Sequence, residues 1–231
     1  MTQSKDLFFV ACAAARKEET ALFPSLVKLG VERFYFFENN RAGLSHCYNR
    51  VLDELAGRDE IIVFVHADVR LEDVYFREKI QSAVGNLQFG IVGLAGAASF
   101  SLALERNVTM WHLAPKETLS GAVQQPSTES PAIRRWAVYG PTPRRCVVVD
   151  GLFMAVDLPR IGRLRFDEQF GFHFYDLDFC LNAHAAGIPL GTTNIHVFHQ
   201  SEGGTSVAFF TEQKRFRAKW TERIKEPVTC P

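Results

Sequence analysis

Apolar runs alternate with stretches of helical spacing along the first part of the chain. Leu7–Ala15 (LFFVACAAA) predicts a strand entering a loop of small residues, and Arg33–Phe37 (RFYFF) predicts a second strand closed by the polar turn Glu38-Asn39-Asn40. Between them Glu18–Leu29 is amphipathic and stops at Gly30, as a helix with a C-terminal glycine does, and Pro24 inside that window draws the helix start toward it. Leu44, Cys47, Tyr48, Val51, Leu52 and Leu55 recur at helical spacing, which predicts a helix over Leu44–Ala56 with Ser45 near its start. Ile61 to Val65 are apolar without interruption, the pattern of a strand buried on both faces, and they run into His66-Ala67-Asp68 before the chain turns polar. A helix around Asp73–Val84 and a strand over Phe89–Leu94 follow. Strand and helix in strict alternation predict an α/β protein with a right-handed, doubly wound, mostly parallel sheet flanked by helices.

From Ala95 to Arg145 the periodicity fades among Gly, Ser, Pro and Thr, with Trp111 and Trp136 as apolar anchors. A stretch this long without regular pattern in a compact domain is expected to be a functional loop region, one that decides acceptor choice if the protein is an enzyme. Pattern returns at Cys146–Val156 (CVVVDGLFMAV), a strand interrupted at Asp150-Gly151, then at the aromatic-rich Phe166–Phe174, a helix over Tyr175–Ala186 and a strand-like Ile188–Phe198. Val207–Lys225 is a basic amphipathic helix. Internal repeats and low-complexity segments are not evident. The expected organisation is one domain over residues 1–231, divided into a first half at 1–94, a second at 95–206 and the C-terminal helix at 207–231.

Composition narrows the function. With 231 residues, 47% of them hydrophobic, the chain has ample material for a core. Twenty-six basic residues balance 26 acidic ones, so no global field favours nucleic acid. Five scattered cysteines without CxxC spacing read as reduced thiols packed as small hydrophobes, and no apolar run approaches a membrane span. With no signal-peptide pattern at the N-terminus, the expected location is the cytoplasm. The basic tail helix has three uses open to it: docking on the domain, peripheral contact with an anionic membrane, or pairing with a second subunit. Docking is the default, and the sequence leaves the oligomeric state open.

Three polar clusters stand beside apolar strands or helix starts: His66/Asp68, Asp176/Asp178 after Tyr175, and His196/His199. Each has a plain structural alternative, as turn former, helix-start carboxylate or packed histidine, and Gly203-Gly204 serve as a turn on the same footing. Residues i and i+2 of a strand share a face, and ligands of open α/β sheets bind at the carboxyl ends of strands, so His66 and Asp68 are placed for one ligand or ion. Asp68 is a hard oxygen ligand of the kind Mg²⁺ or Mn²⁺ accepts, and imidazole suits Mn²⁺ and later metals. Asp176, at a separate helix start, is a candidate general base. The chain has no GxxxxGK[ST], GxGxxG, GxSxG or HExxH, which argues against P-loop kinases, dinucleotide enzymes, α/β-hydrolases and zinc proteases.

In order along the chain, VFVHADVRLED, VVVDGLFMAV, FDEQFGFHFYDLDFCLNAHAAG and HVFHQSEGG resemble family-2 glycosyltransferases of GT-A fold, closest to small bacterial glycosyltransferase-like proteins with H-x-D in place of D-x-D. The resemblance runs from Leu7 to about Gly204 and is weakest over Ala95–Arg145. It implies a nucleotide-sugar donor, a glycan or other hydroxyl acceptor, an inverting reaction and Mn²⁺ or Mg²⁺ as cofactor. By position, Asp68 becomes the metal ligand on the donor diphosphate, with His199 completing the metal shell and His66 replacing the first acid of the motif. Ala11 to Ala13 and Glu38, Asn39 and Asn40 would frame base and ribose. Asp150-Gly151 would form the floor under donor sugar and acceptor, and Asp176 would be the catalytic base. The alternatives are a non-catalytic nucleotide-sugar-binding or scaffold domain of the same fold and a nucleotidyltransferase, for which Arg16-Lys17 is the sole phosphate-gripping motif.

Overall fold

The computed structural model describes residues 4–102, 109–130, 132–201 and 206–230. The expected opening is present: β1 (Asp6–Cys12), α1 (Leu22–Lys28), β2 (Phe34–Phe37), α2 (Leu44–Glu54), β3 (Glu60–Val65), β4 (Val69–Leu71), α3 (Phe76–Gly85) and β5 (Ile91–Gly93). The helix predicted from Glu18 breaks into a single 3₁₀ turn at Lys17–Glu19 and then α1, whose third residue is Pro24. Proline is tolerated there because the first-turn N–H groups have no helical partner in any case. Gly30 stands just beyond α1 with φ +65°, the left-handed helix terminus its position predicted.

The middle of the chain corrects the sequence reading. Instead of a structureless loop region it holds β6 (Ala95–Ala97), β7 (Ser99–Phe100), β8 (Leu119–Pro126), β9 (Arg134–Gly140), β10 (Arg144–Cys146) and β11 (Val148–Val149). The β6 and β8 segments, AGA and LSGAVQQP, are made largely of small residues covered by other backbone, so neither a two-residue nor a helical period marks them. A Cβ on Gly96, Gly121 or Gly140 would run into the carbonyl of Val148, Leu94 or Leu119, which is why glycine occupies these three close approaches. The Trp136 expectation also fails: its side chain is 49% exposed and lies against the His196 ring, whereas Trp111 is the buried anchor that was expected. The chain continues with β12 (Phe153–Asp157), α4 (Leu158–Ile161), α5 (Tyr175–Ala185), β13 (Leu190–Thr192), β14 (Val197–His199), α6 (Val207–Trp220) and β15 (Val228–Thr229).

Two sheets share these strands. The larger has the order β10-β13-β5-β12-β3-β1-β2, the second β11-β6-β8-β14-β4 with β9 on the side of β8, and β15 pairs with β7 apart from both. In the larger sheet β1–β2, β1–β3 and β5–β13 are parallel, while β12 lies antiparallel between β3 and β5, and β10 is antiparallel to β13. The α/β fold is therefore as expected, with a sheet more mixed than predicted. The physical reason lies in the connection. β12 is reached from β11 of the second sheet through the turn at Asp150–Leu152, not from a neighbour in its own sheet through a crossover helix, so nothing obliges it to run parallel to β3 or β5. Three segments change sheet in mid-run: β5 into β6 across Leu94, β10 into β11 and on to β12, and β13 into β14, which the sequence had suggested was one strand.

Ile61 to Val65 of β3 are at most 1% exposed, flanked by β1 and β12. Each such side chain contributes roughly 1.5–3 kcal/mol on burial. Tyr48 of α2 stacks on Phe64 at 4.2 Å, and Phe166 stacks on Phe179 of α5 at 4.0 Å. The tail helix α6 docks, as the default expected. Phe209, Phe216 and Trp220 are buried, and the fully buried Asp178 accepts from Trp220 Nε1 at 2.8 Å and Lys219 Nζ at 2.9 Å. Asp178 is thus a structural tie between α5 and α6. No helix among the described residues is long and apolar enough to cross a membrane. All five cysteines are free, three of them buried, in keeping with packing as small hydrophobes.

Candidate active site

The carboxyl end of β3 and the start of β12 meet because the two strands are antiparallel, with Phe153 opposite Val65. One residue further, the His66 N–H donates to Leu152 O at 3.0 Å, which sets Asp150-Gly151 beside His66-Ala67-Asp68. The second sheet brings the third component. His199 of β14 pairs with Val69, and the Gln200 N–H donates to Asp68 O at 3.0 Å. The start of α5, following Phe174 at φ +62°, closes the site from below with Tyr175 and Asp176.

These elements surround a cavity of about 530 Å³ whose wall includes His66, Asp150, Gly151, Tyr175, Asp176 and His199. One ligand atom each from His66, Asp68 and His199 lies within 4.8 Å of the others, the one such cluster among the described residues. Asp68 lies just outside the cavity wall. Its Oδ1 is 3.4 Å from His199 Nε2, and its Oδ2 accepts from Ser201 Oγ at 2.7 Å. Partial burial works to raise the Asp68 pKa, but the hydrogen bonds and charge of His199, with Ser201 and His66, outweigh it and hold the carboxyl well below its usual range. His199 is raised in turn, Asp68 overcoming the effect of burial. His66 is lowered by burial and by His199, against the pull of Asp68 and Asp150. One carboxylate and two imidazoles make a donor set suited to Mn²⁺, and less so to Mg²⁺, which prefers oxygen.

Asp176 has the opposite environment. Its Oδ2 accepts the Gly151 N–H at 2.8 Å, yet withdrawal from water and the negative charge of Asp150 push its carboxyl up to about 7. Asp150 is fixed by Trp111 Nε1–H at 2.8 Å and by the Leu152 N–H at 2.9 Å. Trp111 was read from the sequence as a packing anchor alone. Its hydrogen bond to Asp150 was missed, as were that of Ser201 to Asp68 and the place of Tyr139 beside Trp111 in the wall. No local spacing announces any of them, since 39 residues separate Trp111 from Asp150.

The remaining predicted positions lie elsewhere or outside what is described. Ala11 and Ala13 are buried at the end of β1, and Glu38, Asn39 and Asn40 form the turn after β2, where the Asn40 N–H donates to Ala13 O at 2.8 Å. Asn39 takes a left-handed φ of +51°. This group is not part of the 530 Å³ cavity wall. It is linked to the H-x-D turn through α1, whose Leu22 N–H donates to Ala67 O at 3.1 Å. His196 belongs to a different set, near Glu72 at 3.6 Å and Gln124 at 3.3 Å. Gly203 and Gly204 lie outside the described residues.

The chain is thus an α/β protein with acidic and imidazole groups gathered at strand ends. The sequence matches the glycosyltransferase-like family over residues 32–221, most of the chain, and the protein belongs to that family. No curated protein matches it. Similar solved structures include A197 from STIV, at 12% identity and a TM-score of 0.49 over 87% of this chain and 97% of that one. Another is TarS 1–349 from S. aureus, at 11% identity and 0.49 over 95% of this chain and 66% of that one.

Proposed function

We propose that the protein transfers a sugar from a nucleoside-diphosphate sugar to an acceptor hydroxyl with inversion at the anomeric carbon, in a reaction that depends on a divalent cation. The observation that carries this reading is the pair of oppositely tuned carboxylates, Asp68 beside His66 and His199 and Asp176 in the wall of the adjoining cavity. Asp68 and His199, with His66, are the residues that would hold Mn²⁺ or Mg²⁺. Such an ion supplies electrostatic stabilisation of the negative charge that gathers on the departing diphosphate.

This chain's own residues do the rest. Asp176 takes the proton of the attacking hydroxyl, and a carboxyl tuned to about 7 is poised near neutral pH for that transfer. The Gly151 N–H holds the Asp176 carboxylate in place, and Trp111 and the Leu152 N–H fix Asp150 on the cavity floor. Base and ribose would sit at the end of β1, framed by Glu38, Asn39 and Asn40 with the buried Ala11 and Ala13 beneath them. The wall contributed by Trp111, Val123, Gln125 and Tyr139 faces the acceptor. The test is incubation with a panel of UDP- and GDP-sugars, with Mn²⁺ or with EDTA, followed by mass spectrometry. Cation-dependent donor hydrolysis or transfer that is lost in Asp176→Asn is expected. Donor binding without turnover across the whole panel would reduce the protein to a nucleotide-sugar-binding domain.

A further inference from the structure

The buried hydroxyl of Tyr175 stands at a junction that the proposed reaction leaves unused. It lies 3.0 Å from Gly151 O and 2.9 Å from His66 Nε2. A phenol has one proton, and a carbonyl oxygen only accepts. The Tyr175 O–H therefore donates to Gly151 O. The contact with His66 then requires the phenol oxygen to accept, so Nε2 carries the hydrogen. The His66 main-chain N–H is held separately by Leu152 O, and its ring faces Phe172 with centroids 5.9 Å apart. Gly151 is part of the same fitting: a Cβ there would occupy the space of the Tyr175 hydroxyl.

The geometry points to Tyr175 as the positioning residue that fixes the neutral Nε2–H tautomer of His66 and thereby offers Nδ1, with its lone pair free, to a cation shared with Asp68 and His199. This rests on the cation-dependent reading above and deepens it. An imidazole ligates through an unprotonated nitrogen, and the partner of its other nitrogen decides which one that is. A tyrosine at this place thus does for a histidine ligand what a hydrogen-bonded carboxylate or carbonyl does at other metal sites. Gly151 O is in effect a further contributor, because it commits the tyrosine proton.

The experiment uses the full chain labelled with ¹⁵N at histidine. Two-bond ¹H–¹⁵N correlation spectra of the cation-free protein report the tautomer of His66, assigned by comparison with His66→Gln, and titration with Mn²⁺ reports affinity. The expected result is an Nε2–H tautomer in the parent protein. In Tyr175→Phe that pattern is lost or mixed, and Mn²⁺ binds about 10–100-fold more weakly, the usual cost of losing a partner behind a ligand. Gly151→Ala, which displaces the hydroxyl without removing it, reproduces both effects. An Nδ1–H tautomer in the parent protein overturns the inference even if Mn²⁺ binds, and so does unchanged Mn²⁺ affinity in a folded Tyr175→Phe. Failure of the parent protein to bind Mn²⁺ or Mg²⁺ overturns the cation reading itself, and with it any role of Tyr175 toward a cation, whatever the tautomer.

Discussion

The two carboxylates of the site, Asp68 and Asp176, are the same residue type in one neighbourhood, yet their surroundings drive them apart. Asp68 is 39% exposed and has an imidazole and a hydroxyl as partners, so its charge is stabilised. Asp176 is withdrawn from water beside another acid, Asp150, and its charge is penalised until the carboxyl titrates at about 7. The contrast shows how one neighbourhood supplies both an anion, suited to a cation, and a proton acceptor working near neutrality.

The contrast can be broken most severely at Asp176. Asp176→Asn is expected to lower kcat by about 10²–10⁴-fold, the usual contribution of a positioned general base, in a single-turnover or steady-state transfer assay. Asp68→Asn attacks the other side. Mn²⁺ affinity measured by calorimetry should fall by more than the roughly 10–100-fold typical of losing an outer partner, while the stability profile attributed to Asp176 stays as it was.

Stability against pH sharpens the comparison with opposite signs. The folded-state pKa of Asp176 is raised above its unfolded value near 3.9 to about 7, so the fold binds the extra proton between those limits. Stability measured by urea denaturation should therefore decline as pH rises from about 4 to 7, by on the order of a few kcal/mol, and Asp176→Asn should flatten that decline. Asp68 is depressed, so its contribution is present above the unfolded value and is lost as pH falls below about 4. The same Asp176 titration predicts a transfer rate that rises with pH through about 7. A rate independent of pH from 5 to 8 would remove Asp176 from the base role.

The smaller effects concern support. Trp111→Phe keeps most of the packing but leaves Asp150 without the indole N–H, a loss of about 1.5–3 kcal/mol for a hydrogen bond to a charged group, seen in thermal unfolding. Ser201→Ala, at an exposed hydroxyl on Asp68, should cost least, weakening Mn²⁺ binding by only a few-fold.

Much of this was legible in the chain. The uninterrupted Ile61–Val65 run marked β3, and the polar residues that follow it marked the site, because a strand covered on both faces needs apolar residues throughout and its end is where polarity returns. The glycine after α1 and the break in the strand at Asp150-Gly151 were equally readable, since both depend on local backbone chemistry. Ala95–Arg145 was not. β6 is three small residues, β8 mixes small and polar ones, and β9 has no buried residue, so none of them leaves a clean two-residue or helical period in the sequence.

The sequence by itself determined which residue types were available and where each stood on its own element: His66 and Asp68 past a strand, Asp176 at a helix start, His199 near the end of another strand. Only the tertiary structure decided their company. The antiparallel return of β12 set Gly151 and Asp150 against His66, the switch of the chain into the second sheet carried His199 to Asp68, and α5 placed Tyr175 between His66 and Gly151. The physical reason is that protonation and ligand behaviour follow from burial and from neighbouring charges and hydrogen bonds. At this site those neighbours come from segments dozens of residues apart, which local pattern cannot specify.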